Sequence, residues 1–189
     1  MNGFIVSIDV ESDGPIPGEN SMLSLGAAAF DTDGELIDVF QANLKPLEGA
    51  HQDPETMAWW EKNKEAWDYA LSSQAEPEKA MKSFDAWLRI LEARYGTVTF
   101  IAYPAGYDWT FVYWYSRKFI PVWKRGFQCL DIKSYAAALL GVPFRSATKR
   151  NFPKVWFNDN FKHTHKASDD AVEQGYIYFQ MLQWAKNRG

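Results

Sequence analysis

The apolar positions fall into short runs at the start of the chain and into helix-spaced stripes further on. Phe4-Ile5-Val6-Ser7-Ile8 is mostly apolar and β-branched, and residues 4–12 are predicted to form a buried strand. Residues 22–30, MLSLGAAAF, predict a second strand, separated from the first by the long Gly- and Pro-rich turn DGPIPGENS. DTDG at 31–34 is a hairpin signal, and residues 35–44, ELIDVFQANL, predict a third strand. The first 45 residues therefore predict an antiparallel meander.

Helical patterns follow. Residues 53–67 predict a helix with Asp53 as N-cap and Pro54 at its first position. Residues 76–96 place Ala80, Phe84, Trp87, Leu88 and Leu91 on one face and end in Gly96. TVTFIAY (97–103) predicts a fourth strand, and residues 108–119 a further helix. DIKSYAAALLG is a short helix closed by Gly141, with Asp131 as its N-cap. The last helix, 169–186, carries Val172, Tyr176, Phe179 and Leu182 down one face. Strands first, then helices alternating with a later strand, predict an α/β fold with a mixed sheet flanked by helices.

At 189 residues the chain is expected to be one domain over 1–189, and its 47% hydrophobic content is ordinary for a globular core. No apolar run is long enough to span a membrane, and the N-terminus shows no basic region followed by an apolar stretch. Cys129 is the one cysteine, which excludes a disulfide framework and fits a reducing cytoplasm. The net charge of −4 argues against a broad basic surface for nucleic acid, though a local grip on a few nucleotides is compatible with it.

Three acidic features stand out. Asp9 and Glu11 point the same way on the first strand, because side chains alternate with period two. Two adjacent carboxylates are costly unless a divalent cation sits between them, and Mg²⁺ or Mn²⁺ prefers such oxygen ligands. Asp108 follows the fourth strand, where functional residues of open α/β sheets gather. His165 lies five residues before Asp170, in the loop ahead of the last helix, and imidazole has the right affinity to take a proton from water. Taken singly, each has an ordinary explanation: a solvated strand end, a helix N-cap, and a capped helix start beside a surface histidine.

The order D-x-E, Asp, H-x4-D resembles the DEDDh exonucleases, the family of ribonuclease T, oligoribonuclease and the proofreading epsilon subunit. SIDVES resembles their first motif, YDWTFVYWY their second and HKASDDA their third. ETMAWWEKN and AYPAGYDWTF look closer to a branch of short stand-alone bacterial exoribonucleases. The resemblance implies a ribonuclease H-like fold with a central mixed five-stranded sheet. It implies Asp9, Glu11, Asp108 and Asp170 as ligands of two divalent cations, Mg²⁺ or Mn²⁺, and His165 as general base. The implied activity is 3′–5′ hydrolysis of single-stranded nucleic acid with a free 3′ end, RNA or DNA, to nucleoside 5′-monophosphates. Several relatives are dimers, so a homodimer enters as an expectation.

Two positions depart from the family. Many relatives carry an Asn, often after a His, four residues before the second-motif aspartate; here Tyr103-Pro104 stands there. HTH also supplies two histidines, and His165 rather than His163 has the family spacing to Asp170. For the strand itself, Tyr107, Trp109 and Phe111 offer stacking faces, and Lys149, Arg150 and Lys154 of TKRNFPK offer phosphate contacts. Most rings of TFVYWY are also good core residues, and the basic segment also fits a solvated loop. The competing functions are a phosphodiesterase for very short oligonucleotides and a non-catalytic binding module. A zinc site on HTH lacks suitable cysteines.

Overall fold

Five strands, β1 (Gly3–Ser12), β2 (Met22–Phe30), β3 (Leu36–Asn43), β4 (Thr97–Ala102) and β5 (Leu130–Asp131), make one sheet in the order β3-β2-β1-β4-β5. The computed structural model describes residues 3–158, 160–161 and 164–187. β1 to β3 form the expected antiparallel meander, and β4 and β5 add in parallel on the other side of β1. β1 is thus the central strand, and β2 beside it is buried along its whole length. Edge strand β3 keeps Leu36 and Val39 exposed.

Helices cover both faces. α3 (Pro77–Tyr95) and α4 (Ala105–Phe119) pack on one side, where Phe84, Leu88, Phe100 and Val112 join Val6, Ile8 and Val10 in a core. α5 (Ile132–Leu140) and α6 (Ala167–Lys186), with three short 3-10 turns at Phe144–Ser146, Lys149–Asn151 and Lys154–Trp156, cover the other. There Phe30, Ile101, Trp156 and Phe179 make a second core. This is the expected five-stranded mixed sheet between helices. No helix among the described residues is long and apolar enough to cross a membrane.

The helix predicted over 53–67 is two helices, α1 (Pro54–Trp60) and α2 (Lys64–Ala70). Asp53 caps α1 through the amide of Thr56, as expected. The break comes at Asn63, whose side chain donates back to the Trp59 carbonyl at 2.9 Å, a local bond that competes with helix continuation. The bend brings the Trp60 and Trp67 rings within 5.2 Å. α4 starts at Ala105, so Asp108 lies inside its first turn rather than at its cap. Asp131 caps α5 through Ser134, and Gly141 ends that helix in the left-handed conformation.

One glycine decides how close α6 comes to the sheet. A Cβ on Gly26 would lie 2.0 Å from the carbonyl carbon of Ala167 and 2.3 Å from the amide nitrogen of Ser168. Only a residue without a side chain lets the start of α6 rest on β2, the close backbone approach that a glycine inside a strand often marks. The Ser168 amide is fixed there by the Gln41 side chain of β3 at 3.0 Å.

Candidate active site

The carboxylates gather at the C-terminal ends of β1 and β4. Val6, Ile8 and Val10 face the α3–α4 core, so the intervening Asp9 and Glu11 face α6. Asp108 is brought in by the short connection from β4 to α4, and its Oδ1 accepts from the Val10 amide at 3.2 Å. Asp170, fully buried in the first turn of α6, accepts from the amides of Thr164 at 2.9 Å and His165 at 3.1 Å. These bonds tie the preceding loop to the helix. His165 has φ +56°, a left-handed backbone uncommon for a residue with a side chain. Its ring meets the Trp59 ring edge-to-face at 4.9 Å.

The electrostatics are those of a cluster of mutually repelling carboxylates. Burial raises the Asp9 carboxyl well above its ordinary range, and repulsion from Asp108, Glu11 and Asp170 adds to this. Glu11 is raised by burial and by Asp170 and Asp108. Asp108 is raised by burial, against the Val10 hydrogen bond and the nearby Lys149 charge. Asp108 Oδ2 is buried without a hydrogen-bond partner among the described residues. Ligand atoms of Glu11, His165 and Asp170 lie within 4.8 Å of one another. A set of carboxylates with one imidazole beside it, an orphaned buried carboxylate oxygen and mutually repelling charges fits a hard divalent cation.

Two cavities flank the cluster. One, of about 470 Å³, is lined by Glu11, Tyr107, Trp59, Trp60 and His165, with Asp53 and Glu55 also in its wall. The Tyr107 hydroxyl shares a hydrogen with Ser12 Oγ at 2.5 Å, and burial pushes its pKa up to about 12, so it stays protonated. The other cavity, of about 480 Å³, is lined by Asp9, Tyr103, Thr148, Lys149, Arg150 and Gln174. A third of about 560 Å³ lies by Thr97, at the opposite end of β4, and has the ion pairs of Arg125 with Asp85 and Glu92 in its wall.

Asp9, Glu11, Asp108, Asp170 and His165 are therefore brought together, while Tyr107, Lys149 and Arg150 line the flanking cavities. Trp109 is a correction. It is 7% exposed, packs on Phe100 at 4.6 Å and donates its indole N–H to the Phe127 carbonyl. One position beyond Asp108 on α4, it turns into the core and offers no face to a base; Phe111 is buried likewise. His163 lies outside the described residues.

Four participants were missed in the sequence. Gln174 donates to Asp9 Oδ1 at 2.6 Å, Glu173 pairs with Lys149, Trp59 contacts His165, and Gly26 admits α6. Of these only Gly26, a lone glycine in an apolar strand, carried a local signal. At the Tyr103-Pro104 position, a cis peptide, the Tyr103 hydroxyl donates to the Ala147 carbonyl and accepts from the Lys149 amide, both at 3.2 Å. That pair of bonds draws Lys149 to the site.

A family model, the 3′-5′ exoribonuclease Rv2179c-like domain, matches residues 5–181. The chain belongs to this family. It is a 3′–5′ exonuclease, a hydrolase. The exonuclease is 29% identical over 176 residues to the 3′-5′ DNA exonuclease Cap18 of Escherichia coli, covering 93% of this chain and 89% of that protein. Its fold matches the nuclease domain of 3′hExo, a DEDDh family member bound to rAMP, with a TM-score of 0.66 at 14% identity over 96% of this chain and 92% of that one. It also matches Pop2p of S. pombe in a Mg²⁺- and Mn²⁺-bound form, with a TM-score of 0.63 at 17% identity over 95% and 82% of the two chains. The ribonuclease H-like expectation is borne out.

Proposed function

We propose that this exonuclease removes nucleoside 5′-monophosphates from the 3′ end of single-stranded RNA or DNA at Asp9, Glu11, Asp108 and Asp170, with His165 as general base. The observation that carries this is the gathering of Asp9, Glu11, Asp108 and Asp170 into one mutually repelling cluster, with His165 beside Glu11 and Asp170 and with Asp108 Oδ2 buried without a hydrogen-bond partner among the described residues. Two Mg²⁺ or Mn²⁺ ions held by these carboxylates would neutralise the cluster, acidify the attacking water and offset charge on the phosphate.

The remaining work falls to the chain. Gln174 fixes the Asp9 carboxylate, and the Val10 amide fixes Asp108. Asp170 holds the His165 backbone, and the imidazole takes the proton of the attacking water. The terminal nucleoside occupies the cavity of Glu11, Tyr107 and Trp59. Asp53 in its wall is held ionised by its bonds to Thr56, and it disfavours a continuing phosphodiester chain, so the cavity accepts an end. Lys149 and Arg150 meet phosphates on the other side.

The family description names an exoribonuclease and the Escherichia coli relative is a DNA exonuclease, so both sugars belong in the test. Matched 5′-labelled RNA and DNA strands are incubated with Mn²⁺ or Mg²⁺, alongside chelator and Asp9→Ala controls. Stepwise shortening abolished in both controls is expected. Intact strands in the presence of the ions would point instead to a phosphodiesterase for very short oligonucleotides or to a binding module.

A further inference from the structure

We propose that the strand upstream of the scissile bond leaves the active site over a cationic ridge formed by residues 143–151 and Lys133. This ridge makes the enzyme prefer strands of many nucleotides over di- and trinucleotides. The inference rests on the reaction proposed above and names its substrate class.

The two cavities at the carboxylates differ in sign. The Glu11 side has Asp53 and Glu55 in its wall, and the Asp9 side has Lys149 and Arg150. A polyanion with its end in the first cavity must continue through the second. Beyond it the sequence is one-sided: from Ile132 to Asn158 there are Lys133, Arg145, Lys149, Arg150 and Lys154 and no carboxylate, in a chain of net charge −4. Among the described residues only Lys149 of these five is in an ion pair, with Glu173. Arg145, Arg150 and Lys154 are exposed.

The ridge is also stiff and carries a stacking face. Ala147, Phe152 and Trp156 are buried beneath it, Tyr103 anchors it at Ala147 and Lys149, and Asn151 bonds the Ser146 carbonyl at 2.8 Å. Phe144 is 49% exposed, with the Lys133 ammonium 4.6 Å from its ring centroid. A half-exposed aromatic ring among unpaired cations is the combination that holds single strands without reading sequence.

The test is fluorescence anisotropy in chelator with 5′-labelled oligouridylate about 20 nucleotides long, more than one groove covers, against a labelled triuridylate. Repulsion from the metal-free carboxylates then weighs on all samples alike. The wild type is expected to bind the long strand at least about tenfold more tightly. Lys133→Ala with Arg145→Ala should shrink the slope of log affinity on log salt for the long strand by about 1.4, at about 0.7 per phosphate contact. Phe144→Ala should weaken the long strand about tenfold, and Lys133→Arg with Arg145→Lys should retain the wild-type slope. Equal affinity for both lengths, or an unchanged slope in the alanine pair, would overturn the ridge. A wild type that binds the long strand yet leaves it whole with Mn²⁺ would overturn the reaction and leave the ridge standing.

Discussion

Asp9 and Gly26 face each other across the β1–β2 ladder, and the bare backbone at Gly26 is what admits α6 to the carboxylates. Gln174 and Asp170 reach Asp9 and Glu11 only because the helix that carries them starts directly on that glycine.

Gly26→Ala therefore acts on the site through the helix. The new methyl meets main-chain atoms of Ala167 and Ser168, which cannot step aside as a flexible side chain would. Unfolding in urea is expected to show a loss of about 1–3 kcal/mol. The folded fraction should also lose nuclease activity, because Asp170 and Gln174 are displaced. Wild-type turnover by the folded variant would show that α6 does not position the cluster.

The acidic cluster should also be visible in thermal unfolding. Asp9, Glu11 and Asp108 hold protons more tightly when folded than at their ordinary values of 3.8 and 4.5. The native state thus binds more protons than the unfolded one above those values, and stability falls as pH rises through the raised folded values. In chelator, Tm should drop from mildly acidic to neutral pH. Mn²⁺ should lift it most at neutral pH, by adding about 2.7 kcal/mol of stability when the free ion is a hundredfold above Kd. Asp108→Asn should flatten the chelated profile. A metal-free Tm that climbs towards neutrality would contradict the cluster's electrostatics.

Gln174→Leu removes the donor to Asp9 without adding charge. Such outer contacts orient metal ligands, and losing one typically costs about 10–100-fold in metal affinity. Calorimetric titration with Mn²⁺ should show a weaker site with the fold intact. Unaltered affinity would mean that Asp9 needs no tether.

Trp59 should matter through His165. His165→Ala is expected to lower kcat by about 10²–10⁴, the usual worth of a general base. Trp59→Ala removes an edge-to-face contact worth about 0.5–1.5 kcal/mol, so kcat should fall up to about tenfold, and Trp59→Phe should restore most of it. A change confined to KM would instead make Trp59 a substrate contact alone.

Trp109 and Tyr107 separate packing from binding. Trp109→Ala should cost about 3–5 kcal/mol of stability by emptying the core between Phe100 and Trp123, with KM of the folded protein unchanged. Tyr107→Phe should leave stability nearly intact and raise KM, since its hydroxyl lies in the cavity wall beside Ser12.

The residues whose spacing follows a local chemical rule were legible in the sequence. Asp9 and Glu11 share a strand face, His165 and Asp170 straddle a helix start, and Asp53 and Asp131 are caps; the structure has each of them so. What depends on packing was not legible. β5 is two residues long, too short for any alternation to register. The split between α1 and α2 turns on one asparagine bond inside a helical pattern. Trp109 and Tyr107 are both aromatic neighbours of Asp108, and only the rotation of α4 sends one to the core and the other to the cavity. Gln174 reaches Asp9 across 165 positions of chain, a contact with no local signature.

The acidic wall at Asp53 and Glu55 has a consequence for the kinds of ends the enzyme can start from. A strand finishing in a free hydroxyl presents a neutral sugar to those carboxylates. One finishing in a 3′-phosphate, as some other nucleases leave it, would press a dianion against them. Such blocked ends, like circles with no end at all, should persist until another enzyme removes the phosphate or opens the ring.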